Sequence, residues 1–349
     1  MKTEHILIVR FSAMGDVAML VPVVANLAAQ YPNIRITVLS RPFARPMFEN
    51  IANNVGFMEA DLKGENKGIR GLNRLYRRLQ AKHFTAIADM HDVLRTKYLR
   101  LRFVIDRHKV KHINKHRKEK KILCSGNKEY FRQLPTSFEN YADVLSRLGY
   151  PIQLSPINIK LEPLSTLPSP MNHKRDDFIW IGVAPFAAHK GKEYPLEKME
   201  NLFISLCTYL NIKFFLFGAG KENIVLDEWA RKYPNCINAS GMLKGLSQEL
   251  VLMQHLDLMI SMDSANMHLA SMVGTPVLSI WGATHPYAGF MGWQQNHEYA
   301  VQKKLECRPC SVYGNKECKR GDYACLNTIN TEDIIEKINF IINKQKKSL

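Results

Sequence analysis

The sequence predicts an α/β chain built as two parallel-sheet halves, and three observations carry that reading. Short apolar runs rich in β-branched residues, such as ILIVR over 6–10 and FIWIGVAPF from Phe178, alternate with stretches of helical spacing. That is the pattern of parallel strands joined by crossover helices. The alternation restarts after a stretch over 154–171 that carries Pro156, Pro163, Pro168 and Pro170, a composition suited to a linker. A chain of 349 residues also exceeds one ordinary core and suits two domains of about 150 to 180 residues each.

In the first half, ILIVRF leads into a helix through Ala25, Leu27 and Ala28, and ITVLS is a second strand. A basic helix follows over 68–80. Its apolar stripe is Ile69, Leu72, Leu75 and Leu79, with Arg70, Arg74, Arg77 and Arg78 on the other faces. FTAIADM is a third strand, and HDVLRTKYLRLRFVI resumes helical spacing.

The second half repeats the grammar. FIWIGVAPF is a strand, 196–210 a helix, IKFFLFGAG a strand ending in glycines, and 222–232 a helix. The long run from Leu250 to Gly282 supplies a helix, strand, helix and strand. TEDIIEKINFIINKQKK closes the chain, with Ile334, Ile335, Ile338, Ile341 and Ile342 on one side, acids early and lysines late. The domains are read as 1–165 and 172–330, with the closing helix 331–349 packing back on the first and a central cleft between the two.

Composition narrows the class. Hydrophobic residues make up 46%, enough for two cores. No run of about 18 uncharged apolar residues occurs, and the first residues reach ILIV without a signal-peptide pattern. The expectation is a cytoplasmic, non-spanning protein. Cys124, Cys207 and Cys236 are scattered singly, as in a reducing compartment. Cys307, Cys310, Cys318 and Cys325 are clustered, which admits a zinc site, a reduced structural loop or labile disulfides; the spacing lacks the second CxxC of a ribbon-type site.

The net charge of +16 is concentrated. Between Lys67 and Arg132 stand 20 Lys or Arg against five acids. Charge of this density attracts polyanions: nucleic acid, an anionic leaflet or a phosphorylated glycolipid. A solvated helix face accounts for part of it, yet RHKVKHINKHRKEKK has too little apolar periodicity for a simple amphipathic helix.

Candidate site residues sit where strands hand over to helices. Asp16, in ILIVRFSAMGD, follows the first strand directly, at the edge where open α/β sheets bind ligands. Its alternative role is to cap the helix that follows. His189, Lys190 and Lys192 lie in the small-residue loop GVAPFAAHKGKEYP, where a lysine can neutralise phosphate. FLFGAGKE is not a complete GxGxxG; Glu222 just past its glycines suits ribose hydroxyls or simply the helix dipole. In ISMDSANMHLASMVGTPVLSIWGATHP the turn with Asp263 and Ser264 opens a helix whose free N–H groups suit a diphosphate, and Asp263 suits sugar hydroxyls. His268, one turn in, contacts ligand or packs.

Together, ILIVRFSAMGD, GVAPFAAHKGKEYP, MDSANMHLASMVGTPVLSIWGATHP and the tail from CRPC to CLNTI resemble the ADP-heptose lipopolysaccharide heptosyltransferases of glycosyltransferase family 9, in order and across both halves. The resemblance implies a GT-B architecture of two Rossmann-like domains and inverting, metal-independent transfer from a nucleotide sugar to a lipid-linked acceptor, with no cofactor. It implies Asp16 as general base and Lys192 as the diphosphate contact. It further implies Asp263 at the donor sugar, Ser264 and Ala265 as backbone donors to phosphate, His268 as a motif position, and Glu222 and Met242 at ribose and adenine. Asn266 and Met267 depart from the family's commonest wording, which bears on the donor more than on the reaction class. From the basic segment, Arg95, Lys97, Arg117 and Lys118 are the candidate acceptor contacts. The implied partners are ADP-heptose, a lipopolysaccharide core or other phosphorylated glycolipid, and the anionic inner-membrane surface on which the protein is peripheral, with no nucleic acid. A two-domain sugar-nucleotide epimerase and a basic nucleic-acid-binding protein are the alternative readings. The first needs further acid and base residues, and the second leaves Asp16 and the Asp263 loop without purpose.

Overall fold

The computed structural model describes residues 4–126, 128–207 and 211–346, and the chain divides into two compact units. The first comprises Met1–Lys115 and Ser137–Lys160, the second His116–Thr136 and Leu161–Leu349. The proline-rich stretch contains the last of these boundaries. The earlier excursion over 116–136 is a feature the expected division at 165–172 did not contain.

The first unit is a five-stranded sheet of β1 (His5–Val9), β2 (Arg35–Ser40), β3 (Val55–Glu59), β4 (Ala86–Asp89) and β5 (Lys109–His112). Its order is β3-β2-β1-β4-β5, every pair parallel. Central β1 is buried from Ile6 to Val9, as a strand covered by helices on both faces must be. The helix Gly68–Gln80 seats Leu72, Leu75, Tyr76 and Leu79 in the core with Leu7, Leu39, Ile87 and Phe103. Ile69, expected in that stripe, is exposed instead: it lies in the helix's first turn, before the buried stripe begins. The helix Leu94–Ile105 is anchored by Leu99 and Phe103. Its Leu94, Leu101, Val104 and Ile105 face solvent, with Leu94 85% exposed.

The second unit repeats the plan with six strands: β6 (Ile179–Ala184), β7 (Ile212–Leu216), β8 (Cys236–Asn238), β9 (Leu258–Met262), β10 (Val277–Ile280) and β11 (Ala300–Val301). They run parallel in the order β11-β10-β9-β6-β7-β8. At Gly182 a Cβ would come within 2.5 Å of Leu256, so the packing of the loop before β9 onto the sheet there depends on the missing side chain. The closing helix, Thr331–Lys346, puts Ile334, Ile338, Ile341 and Ile342 into this unit's own core beside Phe203 and Leu258. The sequence reading sent that helix back to the first domain; its isoleucine face is used in the second. Residues 208–210 of the expected helix 196–210, the side chain of Cys207 and residues 347–349 lie outside what the structure describes.

Candidate functional site

Each unit carries one polar cluster at the carboxyl edge of its sheet, where open α/β folds bind ligands.

In the first unit the cluster is built on β1 and β4. Asp16 lies in the short helix Met14–Ala18 just after β1, and its Oδ2 is 2.7 Å from Arg10 Nη2. The same oxygen accepts the Ala13 N–H at 3.2 Å, so Asp16 caps its helix as well as holding the arginine. The buried Arg10 also donates to the Met90 carbonyl and lies over the Tyr141 ring, 5.5 Å from its centroid. Tyr141 in turn donates from its hydroxyl to the Asp16 carbonyl at 3.1 Å. After β4, His91 Nδ1 accepts the Phe11 N–H at 3.4 Å, which leaves the ring hydrogen on Nε2, 3.3 Å from Ser12 Oγ. Burial, with Arg10 and Lys115 nearby, pushes His91 down to about 3, so the ring is neutral near pH 7. Arg10, His91 and Tyr141 were not foreseen. The sequence signal for Arg10 was available: an arginine ending a buried apolar strand needs a partner.

In the second unit, candidates follow the ends of neighbouring strands. Lys192 comes after β6, Glu222 after β7, Met242 after β8, and Asp263 to His268 after β9. Lys192 Nζ is 2.9 Å from Asp263 Oδ2, with the carboxylate side chain only 5% exposed. Thr284, after β10, donates its hydroxyl to the same oxygen at 2.8 Å. Thr284 is a third member that sequence reasoning missed; its position at the end of β10, beside the Asp263 turn, is the signal. Ser264 and Ala265 open the helix Ala265–Met272, and Ser264 Oγ lies 3.2 Å from Ser261 Oγ. His268 is buried within that helix.

Tight backbone packing positions the lysine. Gly191 O accepts the Ala283 N–H at 2.8 Å, and a Cβ on Gly282 would stand 2.4 Å from that same carbonyl. Gly314, at φ +74°, closes against the lysine's stem: a Cβ there would be 2.6 Å from Lys192 Cγ. Farther along the edge, Glu222 Oε2 accepts the Ala219 N–H at 2.7 Å and so caps its own turn. Met242 is 44% exposed at the end of the helix Ala239–Met242. Gly218 N–H donates to Ser240 Oγ at 3.2 Å, tying the Glu222 loop to that short helix.

The four expected acceptor contacts are divided between the two units. Arg95 and Lys97 belong to the first unit, Arg117 and Lys118 to the second, and all four are exposed. Lys97 stands 3.8 Å from Asp92, while Arg100 bridges Asp89 and Asp92 at 3.3 Å each. The thiols of Cys307, Cys310, Cys318 and Cys325 are free. Burial and then mutual proximity push Cys310 upward; burial pushes Cys325 up to about 11. Among the described residues, no three His, Cys, Asp or Glu side chains are grouped so as to hold a metal ion. No described helix is long and apolar enough to cross a membrane.

Comparison with known proteins adds a family and a fold. A model of glycosyltransferase family 9 (heptosyltransferase) matches residues 72–320. Lipooligosaccharide heptosyltransferase 2 of Campylobacter jejuni is 28% identical over 134 residues, 36% of this chain and 40% of that protein, so the match spans two fifths of that relative. The lipopolysaccharide core heptosyltransferase OpsX of Haemophilus influenzae is 23% identical over 292 residues, 81% of this chain and 80% of its own. Among solved structures, E. coli ADP-heptose heptosyltransferase II superposes with a TM-score of 0.70 at 15% identity, covering 98% of this chain and 99% of that one. That likeness is one of fold: two Rossmann-like units, the GT-B architecture.

Proposed function

The chain belongs to glycosyltransferase family 9, the heptosyltransferase family, and from that premise we propose that it moves a heptose or closely related sugar from an ADP-sugar to a lipopolysaccharide core acceptor. The transfer is proposed to be inverting and metal-independent. The observation that carries this reading is the Lys192–Asp263–Thr284 cluster beside the start of the helix Ala265–Met272. A lysine and free helix N–H groups together can neutralise a departing diphosphate. Asp263, at the same spot, suits the sugar hydroxyls that distinguish one donor from another. The names of relatives agree: ADP-heptose in the E. coli enzyme, the lipopolysaccharide core in OpsX.

In the proposed reaction an acceptor hydroxyl attacks the anomeric carbon while Asp16 takes its proton, and the bond to the diphosphate oxygen breaks. One displacement inverts the centre. Arg10 fixes the Asp16 carboxylate, so the base is oriented before substrate arrives. Glu222 and Met242 are proposed to hold ribose and adenine, Ser264 and Ala265 phosphate, and His268 the helix that carries them.

The proposed setting is the cytoplasmic face of an anionic membrane. Supporting it, the exposed Leu94, Leu101, Val104 and Ile105 share one helix with Arg95, Lys97 and Arg102. Apolar side chains within a basic surround suit the interface of an anionic leaflet.

A donor screen tests the reading. Purified protein, lipid extract and a panel of ADP-, UDP- and GDP-sugars are incubated with and without chelator. The expected result is nucleotide release from ADP-heptose alone, unchanged by chelator and lost in Asp16→Ala. Equal turnover of UDP-sugars, or salt-sensitive binding of random DNA without turnover, would overturn it.

A further inference from the structure

The second unit contains a cavity of about 840 Å³ that is not lined by the Lys192 loop, and no role proposed above uses it. Its walls come from the 116–136 excursion and from the chain over 285–308. The two parts are firmly joined. Leu134 N–H donates to the Tyr287 carbonyl at 2.9 Å, Leu123 and Leu134 pack with Ala288, and Lys120 Nζ lies 4.1 Å from the Phe290 ring centroid. A Cβ on Gly289 would stand 2.4 Å from the Pro135 carbonyl, so the approach is as close as backbone allows.

Three rings meet in this cavity. Phe131 and His285 are 4.9 Å apart between centroids, Phe131 and Tyr287 5.0 Å, His285 and Tyr287 4.5 Å. Their planes are inclined by 67°, 42° and 72°, so no two rings form the parallel slot that a nucleobase enters. Inclined ring faces instead form a corner suited to the C–H faces of a pyranose. Burial, with Arg308 and His297 nearby, pushes His285 down to about 4, so its ring is neutral. Nδ1 accepts the Tyr287 N–H at 3.1 Å, which leaves Nε2 as a hydrogen-bond donor for a hydroxyl.

Cations and one exposed carboxylate, Glu306, complete the lining. Arg308 is spent on structure: it donates to the carbonyls of Gly282, Lys303 and Thr284 and to the Gln302 side chain. Lys303 is paired with Asp333 at 2.6 Å. Lys304 is exposed at the cavity wall and supplies an ammonium of the kind that meets phosphate as a point charge. His285 directly follows Thr284, which holds Asp263.

We propose that this cavity binds a phosphorylated sugar, its ring against Phe131 and Tyr287 and its phosphate at Lys304. Assigning that sugar to the lipopolysaccharide acceptor rests on the transferase reading above; binding of the sugar phosphate itself does not. The test titrates mannose 6-phosphate, mannose and inorganic phosphate into the full-length protein by calorimetry, with ADP as a control ligand. Phe131 and Lys304 are exposed, so Phe131→Ala and Lys304→Glu leave the core intact. Mannose 6-phosphate is expected to bind about tenfold more tightly than mannose or phosphate, and each variant to weaken it about tenfold with ADP binding unchanged. The proposal is overturned if the three probes bind alike, if none binds, or if both variants match the parent. Should the donor screen show no ADP release while the sugar phosphate behaves as expected, the transferase reading falls and the cavity stands. If transfer occurs, the same variants should raise KM for the acceptor and leave KM for the donor unchanged.

Discussion

The ammonium of Lys192 and the carboxylate of Asp263 lie 2.9 Å apart, the lysine side chain 16% and the aspartate 5% exposed, and Thr284 donates to the same oxygen. Removing one member of such a buried pair strands the other charge. Lys192→Ala is expected to cost about 3–5 kcal/mol of stability, read by urea unfolding. Lys192→Arg keeps the charge and the fold. It should lower kcat while retaining most of the stability, because a planar guanidinium cannot occupy the ammonium's position. Full activity in both variants would remove Lys192 from the proposed chemistry.

Asp16 has two roles that substitutions can separate. Asp16→Asn keeps an acceptor for the Ala13 N–H but cannot take a proton. Its kcat should fall by about 10²–10⁴, and the loss of the Arg10 partner should cost about 1–3 kcal/mol. Asp16→Glu keeps the charge and misplaces it, so stability should hold while transfer drops. Transfer at the parent rate in Asp16→Asn would leave only the cap.

Gly314 supports Lys192 from outside the strand framework. At φ +74° an alanine costs about 1–2 kcal/mol in backbone strain, and its Cβ would displace the lysine stem. Gly314→Ala is expected to raise KM for the donor, measured by initial rates. An unchanged KM with the expected loss of stability would show the glycine to matter for the turn alone.

Two histidines, the buried His91 and the half-buried His285, make stability depend on pH. His91 is lowered to about 3 and His285 to about 4, both chiefly by burial. Both are neutral in the folded chain, whereas the unfolded chain binds protons below about 6.5. Their contribution is complete above that pH and is lost as pH falls from there toward 4 and then 3. Urea unfolding at a series of pH values should show this decline, and His91→Gln should flatten it. A parent curve with no decline between pH 6.5 and 4 would contradict the assignment.

Membrane attachment is open to a direct measurement. The triple variant Leu94→Ser, Leu101→Ser, Ile105→Ser alters only exposed positions, so its melting temperature should match the parent's. Flotation with vesicles containing anionic phosphatidylglycerol should be lost. Flotation equal to the parent's would move the contact elsewhere.

The central strands were legible in the sequence and the outer ones were not. β1, β2, β4, β6, β7, β9 and β10 announce themselves as apolar runs because both their faces are covered. β3, β5, β8 and β11 are the edges of the two sheets. There the sequence reads VGFME, KVKH, CIN and AV, half-buried or too short to show a pattern. The site divides the same way. Asp16, Lys192 and Asp263 follow strong strands, so their place at the sheet edges could be read from the sequence. Tyr141 and Thr284 act through contacts across 125 and 21 positions of sequence, which no local pattern pairs, whereas Arg10, six positions from Asp16, carried a signal in its place at the end of a buried strand.

The interleaving of the two units has a consequence for synthesis. Residues 116–136 are made before 161–349, the segment they pack with, and 137–160 must still arrive to complete the first unit. As the chain leaves the ribosome, Leu123 and Leu134 therefore wait without Ala288, and for that interval their apolar faces need shelter. A leading fragment that ends in the proline-rich stretch would keep this orphaned state until the later chain is supplied. Co-expressed halves should therefore reassemble only when the break spares the pairing of 116–136 with the later chain.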